Sequence, residues 1–189
     1  MPSPKMASRF ILHLQLEPLQ ISPPIWRRLQ ISDDCTLRDL HHFIQAAMGW
    51  ADSHLHEFRL GEQLFLPEQA WLPGETCQDD RKIRLKSLLH PGDRLRYLYD
   101  FGDSWQHVLA VEQTLPNPWG SRWCQVLDGQ RACPPEDIGG VSGYLALLAS
   151  PDLATDLLPQ GNPQPFDPER FDCYSANNAV LRICHNRWR

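Results

Sequence analysis

The sequence predicts an α+β fold of β-grasp-like order, a mixed or antiparallel sheet with C-terminal helices packed on it, in a single domain over residues 1–189. Three patterns carry this prediction. Phe10, Leu12, Leu14 and Leu16 alternate with Ile11, His13 and Gln15, the period-two signature of a strand with one apolar face. Leu37, Leu40, Ile44, Ala47 and Met48 recur at helical spacing between a Thr36/Asp39 capping box and a Gly49 stop. Two aromatic-rich strands meet at the turn Gly102-Asp103-Ser104, which defines a hairpin over Tyr97–Val111.

The remaining elements follow in order. Pro18, Pro23 and Pro24 end the first strand, and a second runs from Ile25 to Ile31. Its Arg27 and Arg28 fall on opposite faces, so one of them must reach the sheet rim or find a carboxylate. After the helix, His56, Phe58 and Leu60 alternate, and Gln63 to Leu66 follows the Gly61-Glu62 turn. Pro67 to Asp80 reads as a surface loop, Leu85, Leu88 and Leu89 as a short helical turn, and His90-Pro91-Gly92-Asp93 as a turn into the hairpin. The sheet-plus-helix core spans 9–115. Residues 116–189 form a Pro/Gly-rich loop and C-terminal helices. Within them Pro116 to Gly140 reads as irregular and Ser142 to Ala149 as a helix. The linker Leu158 to Phe166 carries three prolines, and Asp167-Pro168-Glu169 has the pattern of a helix start. A last helix covers about Ser175 to Trp188.

Composition limits the classes of function. A chain of 189 residues with 42% hydrophobic and 22% charged residues builds one well-buried core. Its formal net charge of −5 disfavours broad phosphate-backbone binding, although nearly all its cations are arginines suited to planar, bidentate contacts. Met1 to Arg9 has no apolar signal core and no stretch is long enough to span a membrane. A cytoplasmic location is therefore expected, with Cys35, Cys77, Cys124, Cys133, Cys173 and Cys184 as reduced thiols. No pair has CxxC spacing.

Several polar groups are candidates for chemistry. His54 and His56 lie two apart and would share a face of a strand. With His107 and an aspartate, Asp103 or Asp100, they would suit zinc or another first-row divalent ion. The same side chains serve equally well as a turn cap, a strand residue and a His107–Asp103 hydrogen bond across the turn. Asp100, Asp103 and His107 form a second candidate set, for general acid–base work, with Ser104 as a neighbouring hydroxyl. Aspartates at such a turn also bond turn amides. Cys124 and Cys133 fit no standard zinc spacing and read as buried thiols. Trp26, Trp50, Tyr97, Tyr99 and Trp105, with Arg27 and Arg28, would line a recognition groove or else pack as an aromatic core. Glu136 and Asp137, before a glycine pair, either bind a ligand or cap the helix that follows.

The run Tyr97-Leu98-Tyr99-Asp100-Phe101-Gly102-Asp103-Ser104-Trp105-Gln106-His107 resembles the signature of the root-inducing-plasmid (pRi) ORF-three-like family, whose members are also labelled transposon passenger proteins. Ile25-Trp26-Arg27-Arg28 resembles it too, as do Met48-Gly49-Trp50 with His54-Leu55-His56-Glu57-Phe58 and Ala132-Cys133-Pro134-Pro135-Glu136-Asp137 leading to Gly139-Gly140 and Gly143-Tyr144. Phe166-Asp167-Pro168 also fits, so the likeness covers most of residues 9–180. It implies a compact α+β fold and no defined reaction. A resolvase role has no support in the residues: there is no helix-turn-helix and no serine set among arginines for recombination. The leading expectation is a non-enzymatic cytoplasmic binding or accessory protein of plasmid or mobile-element origin, with an unknown protein or small ligand as partner. The alternatives are a metal-dependent enzyme at the hairpin, using a divalent ion, and a nucleic-acid-binding protein.

Overall fold

The computed structural model describes residues 7–18, 20–71, 74, 76–118, 122–150 and 166–186. The linker over 158–165, positions 72, 73 and 75 of the surface loop before Asp80 and the end of the last helix past 186 lie outside the described residues. Eight strands form: β1 (Ser8–Leu16), β2 (Trp26–Ser32), β3 (His56–Leu60), β4 (Gln63–Leu66), β5 (Gln78–Asp79), β6 (Arg94–Tyr99), β7 (Trp105–Pro116) and β8 (Cys124–Gln130). The described helices are α1 (Leu37–Met48), α2 (Leu85–Leu88), α3 (Gly140–Ala149) and α4 (Cys173–Asn186), and none is long and apolar enough to cross a membrane. The strands make one mixed sheet in the order β5-β4-β3-β6-β7-β1-β2-β8, in which only β4 and β5 pair in parallel. The fold is α+β.

Alternation along the central strands builds the core. Leu12 and Leu14 of β1, Leu29 and Ile31 of β2, and Leu95, Tyr97 and Leu109 of the hairpin are all buried on one face. The apolar stripe of α1 closes over that face, and Tyr144, Leu147, Val180 and Cys184 from α3 and α4 join the same cluster. The ends of α1 are set as its sequence implies. Thr36 Oγ1 accepts the Asp39 amide while Asp39 accepts the Thr36 amide, and Gly49 leaves the helix at φ 93°.

Three segments depart from the sequence reading. The stretch 116–140 is not wholly irregular, because it contains β8. Only Cys124 and Val126 of that strand turn inward, so its two apolar residues carry too little period-two signal. The loop over 67–80 contains a 3-10 turn at Glu68–Ala70 and the two residues of β5. Asp167-Pro168-Glu169 makes an isolated turn, in which the Arg170 amide bonds the Asp167 carbonyl, and does not start a helix. The residue that caps the last helix is Asp172, whose carboxylate accepts both the amide and the hydroxyl of Ser175.

As a sheet edge, β8 exposes unpaired backbone groups that would template further pairing. Here α4 occupies them. Asn177 Oδ1 accepts the Val126 amide and Cys184 Sγ accepts the Cys124 amide, while the thiols of Cys173 and Cys184 point at the carbonyls of Val126 and Cys124. All six cysteines are free thiols, and burial pushes those of Cys35, Cys124 and Cys133 well up.

The two arginines of β2 divide as the pattern required. Arg28, on the outer face, meets Glu112 through two 2.8 Å bonds. Arg27, on the inner face, is 1% exposed and has no carboxylate partner among the described residues. Its guanidinium donates to the carbonyls of Ala47, Trp26 and Gln130 at 3.0, 2.7 and 2.9 Å and lies 4.0 Å from the Phe171 ring centroid. It thereby joins the carbonyl end of α1, two strands and the approach to α4, and the helix dipole favours a cation there. Burial lowers its pKa to about 10, which leaves it charged at neutral pH. Arg27→Lys loses the planar fork and strands at least one buried carbonyl. It should lower unfolding free energy by about 2–4 kcal/mol, whereas Arg28→Lys on the surface should cost less than about 1 kcal/mol. Equilibrium urea titrations of the two variants check the contrast.

Candidate functional site

Residues 50–55 connect α1 to β3 and are held by side chains rather than by a ladder. Three successive amides each donate to a different side chain: Ala51 to Glu136 Oε1 at 2.8 Å, Asp52 to Gln45 Oε1 at 3.1 Å and Ser53 to the Tyr99 hydroxyl at 3.2 Å. The loop starts at Trp50, whose indole N–H donates to the Pro134 carbonyl and whose ring packs 4.8 Å from Tyr99. It ends where the Leu55 carbonyl accepts the Asp100 amide. The loop thus lies between the hairpin and residues 134–137.

Two His/Asp clusters flank it. In the first, the proton positions follow from the connectivity. Gln45 uses its carbonyl on the Asp52 amide, so its NH2 must donate to the Tyr97 hydroxyl at 3.0 Å. Tyr97 then donates to His41 Nδ1 at 2.9 Å, and His41 donates through Nε2–H to Asp52 Oδ1 at 2.6 Å. The chain begins at the Asp52 amide and returns to the Asp52 carboxylate. His42 Nδ1 adds a bond to Asp52 Oδ2 at 2.9 Å. His41 also stacks on His56, centroid to centroid 3.5 Å, and His56 Nε2 bonds the fully buried Asp80, which Arg38 grips with two nitrogens. Burial lowers the pKa of His41, whose Nδ1 is already committed as an acceptor, and that of His56. Burial alone would raise Asp52 and Asp80, but the histidine bonds to Asp52 hold it well below the usual range. His56 and Arg38 hold Asp80 at about 2.

The second cluster is different. His54 Nε2 is buried and has no hydrogen-bond partner, yet it lies 3.0 Å from Asp137 Oδ1, 3.6 Å from Asp100 Oδ2 and 3.9 Å from Glu136 Oε2. Two of these carboxylates are aimed by their other oxygen. Asp100 Oδ1 accepts the amides of Gly102 and Asp103, and Glu136 Oε1 accepts Ala51 N–H and the Tyr99 hydroxyl. Burial beside Glu136 raises the Tyr99 pKa to about 12, so its hydroxyl remains a donor. Backbone geometry marks the same residues. Among the described residues only five non-glycines have positive φ, and three are Asp52, Asp100 and Asp137, aspartates that face His41 or His54. Each left-handed residue costs about 1 kcal/mol and persists only where its surroundings enforce it.

The expected site residues are therefore dispersed. His54 precedes β3 and His56 begins it, so they do not share a strand face. His107 is buried, with Nδ1 on the Trp105 carbonyl and Nε2 unbonded, and Asp103 accepts the Gly139 amide rather than bonding His107. Ser104 donates its amide to the Asp100 carbonyl. The donor atoms of His54, His56, His107 and Asp103 form no group within 4.8 Å of one another, whereas those of His54, Asp100 and Asp137 do. Trp50, Tyr99, Trp105 and Arg27 are buried in the core and do not line an open groove. Glu136 and Asp137 reach the centre from a segment remote in sequence. The role of Asp52 was missed, and its one signal was the spacing from His41 and His42 across the end of α1.

Between pH 6.5 and 3 the unfolded chain protonates histidines that the fold holds neutral. His107, pushed down to about 3 by complete burial, and His41 both contribute stability that is complete above pH 6.5 and lost as pH falls toward 3. Each can add a slope of up to about 1.4 kcal/mol per pH unit. Urea titrations from pH 7 to 4 should show stability falling steadily. The slope should flatten in His107→Gln, and Tyr97→Phe should cost about 1–3 kcal/mol by opening the circuit.

Residues 9–175 match the family model for plasmid pRiA4b ORF-3-like proteins. The chain is 37% identical over 137 residues to the uncharacterised protein y4hQ of Sinorhizobium fredii, covering 71% of this chain and 69% of that one. It also superposes on the crystal structure of MM3350 from Methanosarcina mazei, a protein of unknown function. That match has a TM-score of 0.77 and 34% identity, over 90% of this chain and 97% of the other. By sequence and by structure the chain belongs to the plasmid pRiA4b ORF-3-like family.

Proposed function

We propose that this protein binds a divalent cation at His54, Asp100 and Asp137, with Glu136 beside them. The observation that carries the reading is His54 Nε2, a buried ring nitrogen without a hydrogen bond that faces three carboxylates. Donors sharing one ion at about 2.0–2.2 Å stand roughly 3.0–3.5 Å apart, and the separations from His54 to Asp137 and Asp100 are 3.0 and 3.6 Å. One imidazole with carboxylates suits manganese or zinc. The bonds that aim Asp100 and Glu136 are the outer-shell contacts such centres require. The His41–His42–Asp52 group offers no comparable case, because the hydrogen-bond circuit already uses His41 Nε2–H on Asp52.

Cation binding is compatible with an accessory, non-enzymatic role in the cytoplasm and also with catalysis. The two part at the ligand. Protein stripped with chelator and dialysed against Mn2+ or Zn2+ should retain one ion per chain by elemental analysis. His54→Ala and Asp100→Asn should weaken binding at least about 10-fold, while His42→Ala should leave it intact. A wild type that retains no ion, or a His54→Ala protein that retains it equally, overturns the proposal.

A further inference from the structure

We infer that the centre hydrolyses a neutral amide whose acyl side is apolar, with Glu136 as the proton acceptor; this rests on the cation reading above. Charge selects the ligand class. Two aspartates balance a divalent ion, and Glu136 adds a negative charge, so phosphate or carboxylate groups are repelled and a neutral carbonyl oxygen is favoured.

The rim sets the acyl side. Leu55 and Phe101 follow His54 and Asp100 directly and are 42% and 47% exposed, two of the five large hydrophobic residues so exposed among the described residues. The bond from the Asp100 amide to the Leu55 carbonyl ties the two segments at 3.0 Å. Apolar side chains left in water on both flanks of a polar centre mark a contact surface for an apolar group. A cleft of about 500 Å³ opens between the hairpin turn that follows Asp100 and the start of α3, lined by Gly102, Ser104, Gln106 and Ser142 and also by Pro18 and Val141. Its size fits a small-molecule moiety, and Ser104, Gln106 and Ser142 in its mixed lining offer hydrogen-bond partners to an amine portion.

Glu136 is placed for the proton. Its Oε1 is held by Ala51 and Tyr99, which turns Oε2 toward His54. In the reaction a water oxygen bonds to the carbonyl carbon while one of its protons passes to Glu136. The C–N bond then breaks and that proton leaves on the amine, giving a carboxylic acid and an amine without redox change.

The test follows ethanolamine release from N-hexanoylethanolamine and N-acetylethanolamine by Mn2+-loaded protein, with ion content measured in the same samples. The hexanoyl compound should be preferred at least about tenfold in kcat/KM. Glu136→Gln keeps an acceptor for Ala51 and should lower kcat about 100-fold or more with the ion retained. The Leu55→Ala/Phe101→Ala double variant should bring the hexanoyl compound down to the acetyl rate with ion content and melting temperature unchanged. Loaded wild type that is no faster than free Mn2+ overturns this inference alone, as does full activity in Glu136→Gln or a chain-length preference that survives the double variant. Failure of the wild type to bind the ion removes the cation reading and this inference with it.

Discussion

The closed hydrogen-bond circuit through Asp52 is the constraint on which the site depends. The Asp52 amide orients Gln45, Gln45 orients Tyr97, Tyr97 sets the His41 tautomer, and His41 Nε2–H donates a hydrogen bond back to the Asp52 carboxylate. Every member but Asp52 is buried, so a break at any point leaves a polar group unpaired at low dielectric. Nothing in the local chain favours Asp52 at φ 59°. The circuit enforces it, and so fixes the exit of α1 and the path of the loop that carries His54.

The two clusters then differ in a physical way. Around Asp52 each donor meets an acceptor and the group is complete without any added charge. Around His54 three carboxylates approach one imidazole nitrogen that is bonded to none of them. Like charges gathered this closely repel one another, and a cation relieves that repulsion most directly. Asp100 and Asp137 are both left-handed, and each turns a carboxylate oxygen toward His54 Nε2.

Much of the scaffold was legible in the sequence because it is set locally. The Thr36/Asp39 box, the Gly49 stop and the alternation across the hairpin depend on residues a few positions apart, and they form as read. The β8 strand was illegible because only two of its residues face the core, and its edge is completed by α4 from far along the chain. For the site, sequence spacing pointed to His54 and Asp100 but grouped them with His56, His107 and Asp103, which the fold places apart from His54. His54–Asp100 proximity follows from β3 pairing with β6, which places His56 opposite Tyr99. Glu136 and Asp137 arrive by the contacts of Trp50 with Pro134 and of Ala51 with Glu136, neither of which has a local signature. His56 and His107 both alternate properly in strands, and for that reason both point into the core.

The central claim is that the buried Nε2 of His54, which no hydrogen bond occupies, takes a cation. Nitrogen-resolved NMR of the imidazole rings during a Zn2+ titration tests it most directly. The account predicts that the His54 Nε2 resonance shifts to a coordinated position at one equivalent while His41 and His42 keep their hydrogen-bonded shifts. Movement of His41 or His42 in place of His54, or no histidine response, would contradict it.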